Sequence, residues 1–251
     1  MNVVLLDAAE PNAAGEVSLS DHRAQHLLRI LKVKAGSRVR VGLVDGAQGH
    51  AEVLGIEAPR VLLRCSFDQP TPAPGRDTLL LAFARPKVLL RCLEHATALG
   101  FGRIILFRSR RVEKSHLSSH AIEPATIQAH LLRGLEQSRR THRPDVQLVE
   151  RFRLLLEERL AELVPLENRF VADAGAAEDA ALAQVPAAPL SLVIGPEGGL
   201  IDYEVAELQS YGFRAVRAGR SPLRVETALA YLTGQLRAAR SRTEPGATED
   251  A

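Results

Sequence analysis

The sequence predicts an α/β protein: a mostly parallel sheet with helices on both faces, preceded by a small β-rich unit that reads as a barrel. From Thr78 onward, apolar runs of strand length alternate with stretches of helical spacing, the pattern of βαβ units. Before Gln69, short alternating segments are separated by turn signals, as in small barrels. Between the two, Gln69-Pro70-Thr71-Pro72-Ala73-Pro74-Gly75 is a stiff connector poor in hydrogen-bond donors. The expected organisation is therefore a small domain over 1–73, a larger one over 77–241 and a polar, frayed tail over 242–251.

In the small unit, Ser20-Asp21-His22 can cap a short helix running through Leu31, and Gly36 ends the next turn before the alternating strand Arg38-Val39-Arg40-Val41. Asp45-Gly46 signals a turn, and strands follow over Ala51 to Ile56 and Arg60 to Phe67. In the larger unit, Thr78 to Phe83 reads as a buried strand, Val88 to Leu99 as a helix stopped by Gly100, and Arg103 to Phe107 as a strand. A helix over Ile122 to Ser138, a strand over Gln147 to Glu150, a helix over Leu154 to Leu163 and a strand over Asn168 to Ala172 come next. The series ends with the Leu190 to Ile194 strand, a helix from Asp202 to Tyr211, the Ala215 to Ala218 strand and a helix from Thr227 to about Arg240. In such sheets ligands bind at the carboxyl ends of strands.

Composition narrows the function. With 251 residues and a hydrophobic fraction of 46%, the chain can bury a sizeable core. No apolar run approaches the roughly 18 residues of a membrane span, and the N-terminus lacks a basic flank and cleavage site, so a cytoplasmic protein is expected. Cys65 and Cys92 fall outside zinc-site spacing, and the eight histidines are scattered along the chain, so no metal is expected. The net charge of +2 is unevenly placed: Arg85 to Lys114 carries eight basic side chains against Glu94 and Glu113, and Arg139-Arg140-Thr141-His142-Arg143 forms a second cluster. Such patches suit a polyanion, although basic runs are commonly just solvated faces. Aromatics are few, which disfavours broad base stacking.

The most informative stretch runs from Leu192 to Thr227. A buried strand opens into Gly195-Pro196-Glu197-Gly198-Gly199, and the chain later reads Leu223-Arg224-Val225-Glu226-Thr227. Glycines let backbone press against a flat ligand, or they serve only a tight turn before the next helix. Charged residues beside apolar strand ends, here Glu197, Arg224 and Glu226, suggest a ligand that supplies the partner. An ion pair between Arg224 and Glu226, or Glu197 capping the start of the following helix, would be the structural explanation. No Gly-x-Gly-x-x-Gly fingerprint opens the larger domain and no P-loop occurs, so dinucleotide binding and P-loop hydrolysis lose their usual signatures.

Together these segments resemble the SPOUT-superfamily methyltransferases that modify N3 of a uridine in small-subunit (16S) ribosomal RNA. The resemblance spans nearly the whole chain. It rests on His26 to Gly36 and on Arg85-Pro86-Lys87, Ala98-Leu99-Gly100, Arg111-Val112-Glu113-Lys114-Ser115, Gly134-Leu135-Glu136-Gln137-Ser138, Gly195 to Gly199 and Leu223 to Ala228, in that order. It implies a SPOUT-type sheet with a C-terminal trefoil knot, an exception to the rule against knots, preceded by a PUA-like β-barrel that binds RNA. It also implies a homodimer with the active site near the subunit interface. The chain departs from the family pattern at Arg220-Ser221-Pro222, where relatives carry Pro-Arg-Ile, at Asp173-Ala174, where His-Pro is common, and at His116, where Tyr often stands.

By the same resemblance, S-adenosylmethionine is held by three loops. Their expected contacts are Ala172, Asp173 and Gly175; Ile194, Gly195, Pro196, Glu197, Gly198 and Gly199; and Gly219, Ser221, Pro222, Leu223, Arg224, Glu226 and Thr227. Arg224, as charge stabiliser, and Glu226 or Glu197, as base, are the candidate catalytic residues. RNA contacts are expected from Arg23, Arg29, Lys32, Arg85, Lys87, Arg108, Arg110, Arg111, Lys114, Arg139 and Arg140. The alternatives are a methyltransferase of the same fold acting on a ribose 2′-hydroxyl or another base, and a non-catalytic RNA-binding ribosome-assembly factor.

Overall fold

The computed structural model describes residues 1–112 and 119–241. The expected RNA contact Lys114, the departure at His116 and the 242–251 tail lie outside the described residues. The chain folds as two units, Met1–Pro74 with Leu131–Arg143, and Gly75–His130 with Pro144–Ala251.

The first unit is built on β1 (Val4–Leu6), β2 (Glu16–Leu19), helix α1 (His22–Arg29), β3 (Arg38–Leu43), β4 (Gln48–Glu57) and β5 (Arg60–Gln69). Its five strands lie in the order β1-β3-β4-β5-β2; β1 and β3 are parallel and the other pairs antiparallel. β1 and β2, of three and four residues, are too short to show a period in the sequence. Leu6, Leu19, Leu27, Val41, Val53 and Leu63 form the core. Asp21 caps α1 by accepting the Arg23 N–H at 2.9 Å, and the helix stops at Arg29, short of Leu31. Leu131–Arg143 joins this unit for identifiable reasons. Leu135 packs on Val3 and Leu5, the Glu136 carbonyl accepts the Asn2 N–H at 2.7 Å, and the Thr141 hydroxyl donates to the Gly46 carbonyl at 2.8 Å.

The second unit carries β6 (Thr78–Ala82), α2 (Pro86–Ala98), β7 (Arg103–Phe107), α3 (Pro124–Ser138), which runs on into the first unit, and β8 (Asp145–Val149). It continues through α4 (Phe152–Leu154), a π-helical turn over Leu155–Arg159, and α5 (Leu160–Leu163), one uninterrupted helical stretch that widens to a π turn within the helix expected there. β9 (Arg169–Ala172), β10 (Ser191–Ile194), α6 (Asp202–Ser210), β11 (Arg214–Val216) and α7 (Val225–Ser241) complete it. All six strands pair in parallel, in the order β11-β9-β10-β6-β7-β8. A parallel sheet needs apolar faces on both sides, which is why β6 and β10 are buried along their whole length. The chain runs from β6 outward through β7 and β8, crosses to the other side at β9 and then places β10 beside β6, so the order reverses between β6 and β10. That switch point places a crevice at their carboxyl ends.

Candidate functional site

At the carboxyl side of the sheet, β9, β10 and β11 stop at Ala172, Ile194 and Val216. The loops after them enclose a cleft of about 940 Å³ together with the start of α2 and the first turns of α7. The first glycine loop closes on itself: the Gly199 N–H donates to the Pro196 carbonyl at 2.8 Å, with Gly199 at φ +71°, where a side chain would be strained. A Cβ on Gly195 would sit 3.0 Å from the Leu200 amide nitrogen, so the loop's own turn leaves little room for a side chain there. The turn is also part of the cleft wall.

The charged residues sort themselves by partner. Glu197 is exposed and accepts the Arg85 N–H at 3.0 Å. It therefore caps α2, across the switch point, and not the helix that follows it. That following helix, α6, is capped by Glu204, a buried side chain that accepts the Ile201 N–H at 3.0 Å and, with its other oxygen, the Arg110 N–H at 2.7 Å. Glu226 is 8% exposed and pairs with Arg91 of α2 at 2.8 Å, so the alternative of a structural ion pair with Arg224 is not the one formed. Arg224 is exposed and has no ion-pair partner among the described residues. Cys92, beside Arg91 and fully buried, has its thiol pushed up to about 12 by burial and then by the charges of Glu226 and Glu197, so it is no nucleophile. Burial likewise raises Cys65 to about 11.

The model of the RNA methyltransferase domain matches residues 71–237, two-thirds of the chain. The chain belongs to this family. Within it, the chain is 30% identical over 232 residues to the ribosomal RNA small subunit methyltransferase E of Treponema pallidum, covering 91% of this chain and 87% of that one. Its fold is that of the ribosomal RNA small subunit methyltransferase E of Neisseria gonorrhoeae, solved bound to S-adenosyl methionine, with a TM-score of 0.73, 21% identity and coverage of 96% and 98%. A methyltransferase from Legionella pneumophila, solved with the same cofactor, superposes with a TM-score of 0.74 at 19% identity, covering 95% and 98%.

In this RNA methyltransferase domain, the expected contacts Ala172, Asp173, Ile194, Gly195, Pro196, Glu197, Gly198, Gly199, Gly219, Ser221, Pro222, Leu223, Arg224 and Glu226 all line the one cleft. Gly175 and Thr227 do not: the Gly175 N–H donates to the Asp173 carboxylate at 3.0 Å, and Thr227 is exposed on α7. Of the expected RNA contacts, Arg29, Lys32, Arg139 and Arg140 are exposed on the first unit, and Arg85, Lys87, Arg110 and Arg111 on the second, with Arg108 half-buried. Arg23 is committed elsewhere. Glu10 at 2.6 Å and Asp21 at 2.7 Å hold its guanidinium, and although burial works against the charge, these partners raise its pKa further. Arg111 donates to the Gly198 carbonyl and so braces the glycine loop. Sequence reading missed Arg91 and Glu204. Arg91 interrupts the apolar run Val88-Leu89-Leu90-Arg91-Cys92-Leu93, and Glu204 stands three residues past the N-cap, and both are readable signals. Among the described residues, no cluster of three or more His, Cys, Asp or Glu side chains is placed to hold a metal, and no helix is long and apolar enough to cross a membrane.

Proposed function

We propose that this chain is an S-adenosylmethionine-dependent methyltransferase acting on N3 of a uridine in small-subunit ribosomal RNA. The observation that carries the reading is the cleft. Three loops at strand carboxyl ends meet there in a chain of this family, which is 30% identical to a ribosomal RNA small subunit methyltransferase E over nearly its whole length. The cleft fits such a cofactor. Its wall of Ala172, Ile194 and Val216 at the strand ends and Leu232 on α7 suits a nucleoside, and the same lining brings together four arginines and three acids, which suits a charged amino-acid tail.

Bound there, the cofactor supplies the reactive methyl group. The protein's part is alignment, charge and proton handling. Arg224, exposed and without an internal ion pair among the described residues, is the cation able to face negative charge developing on the uracil oxygens. Glu226 has one carboxylate oxygen committed to Arg91 at 2.8 Å. Glu197 spends one carboxylate oxygen on the Arg85 N–H and has the other available for the N3 proton, directly or through water. Exposed arginines and lysines on both units supply phosphate contacts, and the target uridine is unpaired or flipped, because pairing blocks N3.

The reading extends to a trefoil-knotted C-terminal segment, a PUA-like N-terminal barrel, a homodimer, a cytoplasmic location and chemistry without metal. The test is to incubate the protein with labelled S-adenosylmethionine and small ribosomal subunits that lack N3-methyluridine, then identify the labelled nucleoside by mass. Labelled N3-methyluridine is expected. A different methylated nucleoside refutes the N3 assignment, and cofactor binding without any transfer refutes the enzyme on this substrate.

A further inference from the structure

Resting on the methyl-donor reading above, we infer that Arg91 is the residue that takes the carboxylate of the cofactor's amino-acid tail. Arg91 lines the cleft from α2 with its side chain half exposed, while Glu226, which it grips at 2.8 Å, is almost wholly buried in the first turn of α7. One guanidinium nitrogen is thereby fixed, while half of the side chain stays exposed. Guanidinium is a planar fork of five N–H donors, and an arginine already oriented by one carboxylate loses little freedom in accepting a second. The strand ends and their loops bring apolar and backbone groups with Asp173 and Glu197, and the fixed cation with its acid comes from the α2 and α7 side.

A zwitterionic amino-acid tail carries one group for each member of the Arg91–Glu226 pair: its carboxylate for Arg91, its ammonium for the acid side of the cleft. The other arginines of the lining are less suited. Arg85 uses its backbone, not its side chain, to engage Glu197, and Arg224 has no protein carboxylate to orient it among the described residues.

The test compares S-adenosylhomocysteine with its decarboxylated analogue by calorimetry, on the wild-type chain and on Arg91→Met and Arg91→Lys. Loss of the carboxylate should weaken binding about tenfold or more in the wild type, since hydrogen bonds to charged groups are the strong ones. That penalty should vanish in Arg91→Met and return in part in Arg91→Lys. Equal weakening of both ligands in Arg91→Met would mean that Arg91 only steadies Glu226, and unchanged binding of both would mean that it touches neither; each overturns the inference. A second measurement needs no variant. Phenylglyoxal should modify Arg91 in the wild type, and S-adenosylhomocysteine, but not the decarboxylated analogue, should protect it, read by peptide mass. Full modification of Arg91 under saturating S-adenosylhomocysteine would overturn the assignment. Failure of the wild type to bind either nucleoside would instead refute the donor reading itself, and this inference with it.

Discussion

The two ends of the parallel sheet carry the same kinds of residue and use them in opposite ways. At the amino ends of the strands, Asp77 is 4% exposed and accepts from the Leu190 N–H at 2.8 Å, from Arg237 at 2.8 Å and from Arg240 at 2.7 Å. Arg169, equally buried, donates to the carbonyls of Val164, Pro165 and Tyr211 at 2.7 to 2.8 Å. Every one of these charges finds its partner inside the fold. At the carboxyl ends, Arg224, Arg220 and Glu197 stand exposed around an open cleft, and the first two have no ion pair among the described residues. A buried charge without a partner is costly, so the fold must complete its charges where it is closed and can leave them incomplete only where water or a ligand completes them. The amino end therefore closes on its own charges, and the carboxyl end leaves its charges open to water or a ligand.

The largest effect should come from breaking the closed end. Asp77→Asn leaves Arg237 and Arg240 facing a neutral group and should cost roughly 3 kcal/mol of stability, as for other buried pairs that lose one partner. Urea melts would read it, and a loss below about 1 kcal/mol would mean the network is ornamental. The same carboxylate has a pH signature. Burial alone would raise its pKa, but the Arg240 hydrogen bond, the Leu190 N–H and the charges of Arg237 and Arg240 prevail and hold it below its ordinary value of 3.8. A depressed folded-state pKa stabilises the fold above the unfolded value and loses that contribution as pH falls through the folded one. The gap between wild type and Asp77→Asn should thus be full at neutral pH and shrink below about pH 4; a gap independent of pH would contradict the assignment.

Next in size is the open end. Arg224→Ala should lower the methylation rate on the order of a hundredfold, the usual cost of one donor to a developing anion, with melting temperature unchanged and cofactor affinity altered only a few-fold. An equal loss of stability would place Arg224 in the scaffold. Gly199→Ala should follow, since a side chain at φ +71° costs about 1–2 kcal/mol. Because that strain sits in the cleft's own loop, it should appear mainly as about tenfold weaker cofactor binding, measurable by calorimetry. Weakening confined to the melting temperature would show that the loop moves without harming the cleft.

Much of this contrast was legible in the chain, and the rest was not for physical reasons. The βαβ alternation after Thr78 fixed the parallel sheet, because a strand buried on both faces must be continuously apolar. The Gly195 to Gly199 loop and the charges after it announced a ligand end. But a charge beside an apolar strand reads the same at Asp77–Thr78 as at Ile194–Glu197. Only the three-dimensional partners, contributed from residues 113 and 163 positions away in the first case, separate the two. The Arg91–Glu226 pair spans 135 positions and the Glu197–Arg85 bond 112, so neither could be read from local spacing. The first unit's capture of Leu131–Arg143 is the same kind of event: packing on Val3 and Leu5 decides it, not helical period.

The smallest expected effect separates two neighbouring arginines that look interchangeable in sequence. Arg110 offers its backbone N–H to Glu204, so its position is set by the main chain, and its side chain is exposed. Arg111 is also exposed, but its guanidinium is bonded to the Gly198 carbonyl and its side-chain carbons lie against Gly198. Arg110→Ala should therefore remove one phosphate contact and nothing else: RNA affinity falls a few-fold, the slope of log affinity against log salt drops by just under about one, and cofactor affinity stays the same. Arg111→Ala should weaken cofactor binding as well, because it releases the glycine loop. Titrations of both ligands across a salt series check this directly. If the two variants behave alike toward the cofactor, the brace between Arg111 and Gly198 does not hold the loop, and the open end of the sheet owes its shape to the glycine turn alone.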